Sequence, residues 1–227
     1  FADCEPLRSD NGLVFLPRYI NSFISQLDKS YLDAAMRYNT ALANRNSYLK
    51  IGSDEEMLRI YDAQMAPVAA KIHQARLEVT ELLYPLVCEY YRALSDDHEQ
   101  VELEYRSELN NSTLEELLQA SRERDRVMGY TTCGVQRDDL RFSIGGYPLR
   151  KYGSQGQQKS FLVSLKFAQY EIMKRNYGFA PILLLDDVFD KIRAEIDNAL
   201  SDGMIHKKTV LGIIDKYKAE TEAADDK

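Results

Sequence analysis

The chain has 227 residues, 44% of them apolar and 29% charged, with a net charge of −7; that is enough chain to bury a real core, in ordinary globular proportions. No apolar run approaches the roughly 18 residues that span a bilayer, and no basic-then-apolar leader opens the sequence, so no membrane role and a cytoplasmic location are expected. Cys4, Cys88 and Cys133 lie far apart without CxxC spacing, and His73, His98 and His206 have no metal-ligand spacing, which favours reduced thiols over bridges or a zinc site. The acidic balance argues against a coat for nucleic acid but leaves a local basic patch open.

Residues 1–20 combine turn signals at Arg8–Gly12 with the short apolar run Leu13–Leu16, consistent with one short strand or an irregular lead-in. From Asn21 the pattern becomes helical, with Ile24, Tyr31 and Tyr38 on one face, until IGSDE at Ile51–Glu55 interrupts it. Ser53 is a candidate N-cap for the next helix. This second helical tract runs from about Glu55 to Leu94, its stripe traced by Met57, Ile60, Met65, Ile72, Leu82 and Leu86. Pro67 and Pro85 predict kinks or breaks inside it. Two such tracts joined by a short turn form an antiparallel helical arm.

VELEYR at Val101–Arg106 alternates apolar and charged residues, as a half-buried strand does. A helix capped within Asn110–Thr113 comes after it, through about Val127. Its Arg122, Arg124 and Arg126 are read as a solvated face with helical pairing, against a nucleic-acid patch. Tyr130–Leu140 and Arg141–Leu149 read as two strands, with a Gly145–Gly146 turn nearby. The Arg137-Asp138-Asp139 cluster is either a salt-bridged strand end or a set of acids within reach of a metal.

The stretch with the most chemistry is Leu149–Asp190. Gly153 and Gly156 allow the backbone a sharp turn and close approach to a ligand. Ser154 adds a hydroxyl, and a helix starting near Gln157 turns free N–H groups and a positive dipole end toward the same spot. Ile182–Leu185 is an unbroken apolar strand ending in Asp186 and Asp187. Two carboxylates at the end of a buried strand require a cation or donors, and Mg²⁺ with a nucleoside triphosphate meets that need. Asp186 would hold the metal and Asp187 would orient or deprotonate the attacking water.

The strings GYTTCGVQRDDL, IGGYPLRKYGSQGQQKS and PILLLDDVFDKI, with the upstream ISQLDKSYLDAAMRYNTALANRNSYLK, resemble the RecF family of ABC/SMC-like ATPases over about residues 22–192. The resemblance implies that Ser154, Gln155, Gly156 and Gln157 belong to the ABC signature and contact nucleotide, and that Ile182–Asp187 is the Walker B strand. It implies ATP and Mg²⁺ as cofactors, DNA as partner, an ATP-dependent homodimer, and recombination mediators of the RecO and RecR type. The chain departs from the family in three places. No glycine is followed by lysine, so a GxxxxGK[ST] loop is missing from these residues; Gln136 stands where the family usually has His; and residues 1–21 and 193–227 are atypical.

The expected fold class is α+β (α/β), a helical arm lobe plus a partial ABC-ATPase head sheet. The expected domains are a lead-in at 1–21, the arm lobe at 22–130 with its strand, head residues 131–192, and a helical, acidic tail at 193–227. The function implied is RecF-like DNA replication and repair, with little ATP turnover from this polypeptide alone. The alternative is a non-enzymatic helical module that binds repair partners or DNA.

Overall fold

The computed structural model of the chain describes residues 16–52, 54–95, 99–179 and 181–182. It divides into two compact units, one built from Phe1–Tyr84 and Glu102–Tyr152, the other from Pro85–Val101 and Gly153–Lys227. The result is mostly helical with one small sheet, consistent with the α+β class.

In the first unit, α1 (Leu16–Leu27) and α2 (Lys29–Ile51) are separate helices, where the sequence suggested one tract. Asp28 divides them: its backbone is extended, and its carboxylate accepts from Ser30 N at 2.7 Å and Ser30 Oγ at 2.6 Å. Those bonds cap α2. The Ser30 hydroxyl and then the Ser30 N–H hold the Asp28 carboxyl below its ordinary pKa. Gly52 ends α2 at φ 81°, a left-handed position where an L side chain is strained. Ser53, the expected next cap, lies outside the described residues; Asp54 Oδ1 accepts from Glu56 N at 3.4 Å instead.

The helix α3 (Glu55–Leu94) runs 40 residues without a break at Pro67 or Pro85. Both prolines lie on the exposed side, as do Ala63 and Glu81, whose carbonyls lose their amide partners. Water can satisfy those carbonyls, so each proline removes one bond without exposing core. The boundary between the units does fall at Pro85. The buried stripe is also displaced from the one the apolar residues traced. Ile60 and Leu82 are exposed, whereas Leu58, Asp62, Arg76 and Leu83 are buried. Two charged residues in that stripe hide it from an apolar pattern.

Strand β1 (Val101–Arg106) has the expected alternation. Thr113 caps α4 (Leu114–Met128) through a complete capping box with Glu116. Contrary to expectation, the segment at 130–138 is not a strand but an irregular chain with a short 3-10 turn at Val135–Arg137. Its polar groups are bound by side chains of the helices instead of a ladder. Strands β2 (Asp139–Ile144) and β3 (Tyr147–Pro148) pair antiparallel around Gly145–Gly146, with Ile144 opposite Tyr147, and the sheet order is β1-β2-β3. Both turn glycines have positive φ, 55° and 80°, as a two-residue hairpin requires. The short α5 (Leu149–Tyr152) comes next, anchored by buried Leu149.

Two ionic clusters fill the interior of this unit. Arg45, fully buried, donates from Nε to Asp62 at 2.8 Å and from Nη1 to Asp125 at 2.9 Å and Thr131 Oγ1 at 2.7 Å. Arg122 pairs with Asp62 and Glu55, and Arg126 with Glu55 and Glu123. In the second cluster Arg76 donates to Asp138 at 2.5 Å, to the Val135 carbonyl at 2.7 Å and to Asn21 at 2.9 Å. Tyr105 Oη also donates to Asp138, at 2.5 Å, and His73 Nδ1 lies 3.3 Å from that hydroxyl. Burial, then the Asp138 charge, pushes the Tyr105 phenol well up. Burial lowers His73, against the opposing pull of Asp138.

In the second unit the last turns of α3 and the helix α6 (Gln155–Tyr177) supply the core. Tyr90 packs on Phe167 with ring centroids 5.5 Å apart, among buried Val87, Phe161, Leu165 and Ile172. Gly178 closes α6 at φ 72°.

Candidate functional site

The turn at Gly153–Gln158 is built by a cap. Ser154 has extended backbone and its Oγ accepts from Gln157 N at 3.2 Å, while Gln157 Oε1 accepts from Ser154 N at 2.7 Å. This reciprocal box starts α6 at Gln155, two residues before the position the sequence suggested. Gln158 Nε2 donates to the Gly153 carbonyl at 2.9 Å. Gln157 Nε2 donates to Glu99 at 2.5 Å, and Tyr91 Oη donates to the other oxygen of the same carboxylate at 2.5 Å. Burial, and then the bond to Glu99, raises the Tyr91 phenol. Glu99 thus fastens the start of α6 to the end of α3 within this unit.

The four candidate residues therefore divide into two pairs. Ser154 and Gln157 are engaged with each other, although the Ser154 hydroxyl hydrogen is still free to point outward once Oγ has accepted from Gln157. Gln155 and Gly156 occupy the first turn, where amide N–H groups have no partner inside the helix. Ser154, Gln155 and Gly156 are all exposed. An exposed hydroxyl and two free amides at the positive end of a 23-residue helix suit an oxyanion such as a phosphate.

Gly156 is informative for what it does not do. It is absent from the glycines at positive φ, and a Cβ built there would meet only Ser154 Oγ, at an unstrained 3.8 Å. The sharp conformation expected of it is not present. Among the described residues nothing occupies the place of the missing side chain, so the glycine leaves space beside the free amides. Gly134 is the contrast: at φ 106°, a Cβ there would sit 2.7 Å from Tyr38 Oη and 3.0 Å from Leu114 Cδ1. That glycine is used by the fold.

Asp186, Asp187 and the strand Ile182–Leu185 lie outside the described residues, apart from exposed Ile182. The acids of the Arg137-Asp138-Asp139 cluster are in ion pairs, Asp138 with Arg76 and Asp139 with Arg141 at 3.2 Å. Gln136 accepts from Tyr38 Oη at 2.5 Å and donates to the Cys133 carbonyl at 2.6 Å. The arginine run of α4 is only in part the solvated face expected: Arg124 is exposed and Arg126 pairs with Glu123 at 2.9 Å. Arg122 and Arg126 bind carboxylates of α3, and Arg124 donates to Thr132 Oγ1 at 2.7 Å. Sequence reasoning missed Glu99, which sits next to the VELEYR strand with no pattern to mark it. Among the described residues no helix is long and apolar enough to cross a membrane.

No family model matches the chain. It is 42% identical over 179 residues to the DNA replication and repair protein RecF of Bacteroides thetaiotaomicron, a match that covers 78% of this chain and 48% of that protein. The RecF of Flavobacterium johnsoniae is 38% identical over 213 residues, covering 91% of this chain and 59% of its own. The chain thus spans about half the length of the curated relatives it matches. A solved structure of the recombination mediator protein RecF-ATP in the RecFOR pathway superposes with a TM-score of 0.73 at 31% identity, over 82% of this chain and 55% of that one. A second, of RecF-ATPrS, gives 0.71 at 32% identity over 77% and 50%. Sequence and fold agree over these residues, and across the matched part the chain belongs to the RecF family.

Proposed function

We propose that this chain supplies the signature part of a nucleotide site in a DNA replication and repair protein of RecF type. The observation that supports this best is Gly156. A glycine costs helix stability relative to alanine, this one is required by no φ value and by no contact among the described residues, and it lies beside free amides and the Ser154 hydroxyl. Ser154 and the Gln155 and Gly156 N–H groups would bind phosphate oxygens of ATP. Gln157, held by Glu99 and Ser154, would keep that turn in place. Bound ATP supplies the γ-phosphoryl group and its leaving diphosphate. Asp186 would hold Mg²⁺ and Asp187 would orient the attacking water; two adjacent carboxylates suit a hard cation that also takes phosphate oxygens.

In this reading residues 22–130 are mainly the arm lobe, 131–192 part of an ATPase head, and 1–21 and 193–227 an atypical lead-in and an atypical helical, acidic tail. A second protomer would meet the signature turn across a nucleotide, giving an ATP-dependent, DNA-binding homodimer that works with mediators of the RecO and RecR type in the cytoplasm.

The test is to join residues 22–192 to the preceding portion of the Bacteroides thetaiotaomicron RecF, which by the resemblance carries the phosphate loop. The joined protein should turn over ATP with Mg²⁺, and S154R and D187N should each abolish turnover. Turnover unchanged by S154R would sink the assignment.

A further inference from the structure

The hairpin that ends the sheet of the first unit carries a surface that the nucleotide reading leaves unused. Gly145–Gly146 reverses the chain, Tyr147 pairs with Ile144, and buried Leu149 pins the α5 turn. On this frame Tyr147 and Tyr152 are held out of the core, 66% and 60% exposed. Their rings meet edge to face, with centroids 5.8 Å apart and planes at 68°. Lys151 Nζ lies 5.2 Å from the Tyr152 ring centroid, and Arg150 beside it is exposed.

Arg150 and Lys151 make no ion pair among the described residues, and Lys151 lies against an exposed aromatic ring. In a chain of net charge −7, two cations without carboxylate partners among the described residues adjoin two exposed tyrosine rings that meet each other. Glu102 of β1 accepts from Ser143 Oγ at 3.0 Å.

We propose that Tyr147, Arg150, Lys151 and Tyr152 form a contact surface for single-stranded nucleic acid. Unpaired bases stack on exposed tyrosine rings, and the adjoining cations take the phosphates between them. A duplex keeps its bases stacked on one another, so the rings select an open strand. The charge complementarity is local: it needs no basic protein, only two unneutralised cations beside the rings. The inference rests on the DNA-binding part of the function proposed above and names the surface that would carry it.

The chain contains no tryptophan, so Tyr152→Trp introduces a single indole as a reporter on an exposed site. Titrating the full Y152W chain with oligothymidine should quench that emission, with recovery at high salt, and a duplex of the same length should quench it far less. In parallel, anisotropy of a labelled oligonucleotide should show binding weakened about tenfold or more by Y147A/Y152A. R150Q/K151Q should reduce the salt slope by about 1.4, two phosphate contacts on a single strand. If the oligonucleotide binds with parent affinity to Y147A/Y152A while the indole is silent, this surface is wrong and the repair reading stands. If no DNA of either form binds, both fall. Equal quenching by duplex would overturn the choice of a single strand.

Discussion

The Arg45 cluster and the Ser154 turn are both polar, and they are built in opposite ways. Around Arg45 every charge is matched: one guanidinium joins α2 to Asp62 of α3 and Asp125 of α4, with no part of it open to solvent. Such a cluster contributes mainly by making any other packing costly, since a lone buried charge is far worse than a pair. The Ser154 turn satisfies only its own frame. Capping bonds and Glu99 fix the backbone, and the groups left over point at open space. Buried ion pairs mark the scaffold, although Arg45 Nη2 and Arg122 Nε have no partner among the described residues, whereas the donors left over at the Ser154 turn are exposed on a fixed frame and open to a ligand.

Breaking the scaffold should be the larger effect. Arg45→Met leaves Asp62 with only Arg122 and Asp125 without any guanidinium, and it should cost about 3–5 kcal/mol in urea or thermal unfolding. A loss under about 1 kcal/mol would show that the cluster is not what joins the three helices. Gly134→Ala comes next: its φ of 106° and the 2.7 Å approach to Tyr38 Oη predict about 1–3 kcal/mol of destabilisation, measurable as a shift in urea midpoint. An unchanged midpoint would contradict the close packing there.

The smallest scaffold effect is a pH dependence at His73. Burial, partly opposed by Asp138, lowers its pKa below 6.5 in the folded state. The folded chain therefore binds fewer protons than the unfolded chain. The stability involved is fully present above pH 6.5 and is lost as pH falls from there through the lowered folded value. Urea midpoints of H73Q should be flatter than those of the parent across that window. Parallel curves would remove His73 from the account.

Much of this was legible in the residues, and the failures have physical causes. The β1 strand, the Thr113 cap, the Gly-Gly hairpin and the helix after Gly153 arise from alternation, capping and turn chemistry that act locally. The clusters were missed because apolar periodicity was the only pattern traced through the helices. On α2 the buried positions Tyr31, Ala34, Tyr38, Ala41, Arg45 and Leu49 form one stripe; on α4 Leu114, Leu118, Ser121 and Asp125 form another. Ionic residues at stripe positions of opposite sign on three helices were the available signal. The segment at 130–138 differs from the expected strand because its backbone is held by Asn46, Asp125 and Glu108 side chains from distant parts of the sequence. No local rule reaches those. No break occurs at Pro67 or Pro85 because both face the exposed side of the helix.

If the turn at α6 is shaped for a ligand and not for the fold, Gly156→Ala separates the two. An alanine fits the observed backbone and should raise stability by about 0.4–1 kcal/mol, so folding will not confuse the result. In the joined protein described above, ATP turnover of G156A should fall at least tenfold as the methyl group enters the space over the Gln155 and Gly156 amides. Undiminished turnover by G156A would contradict the account.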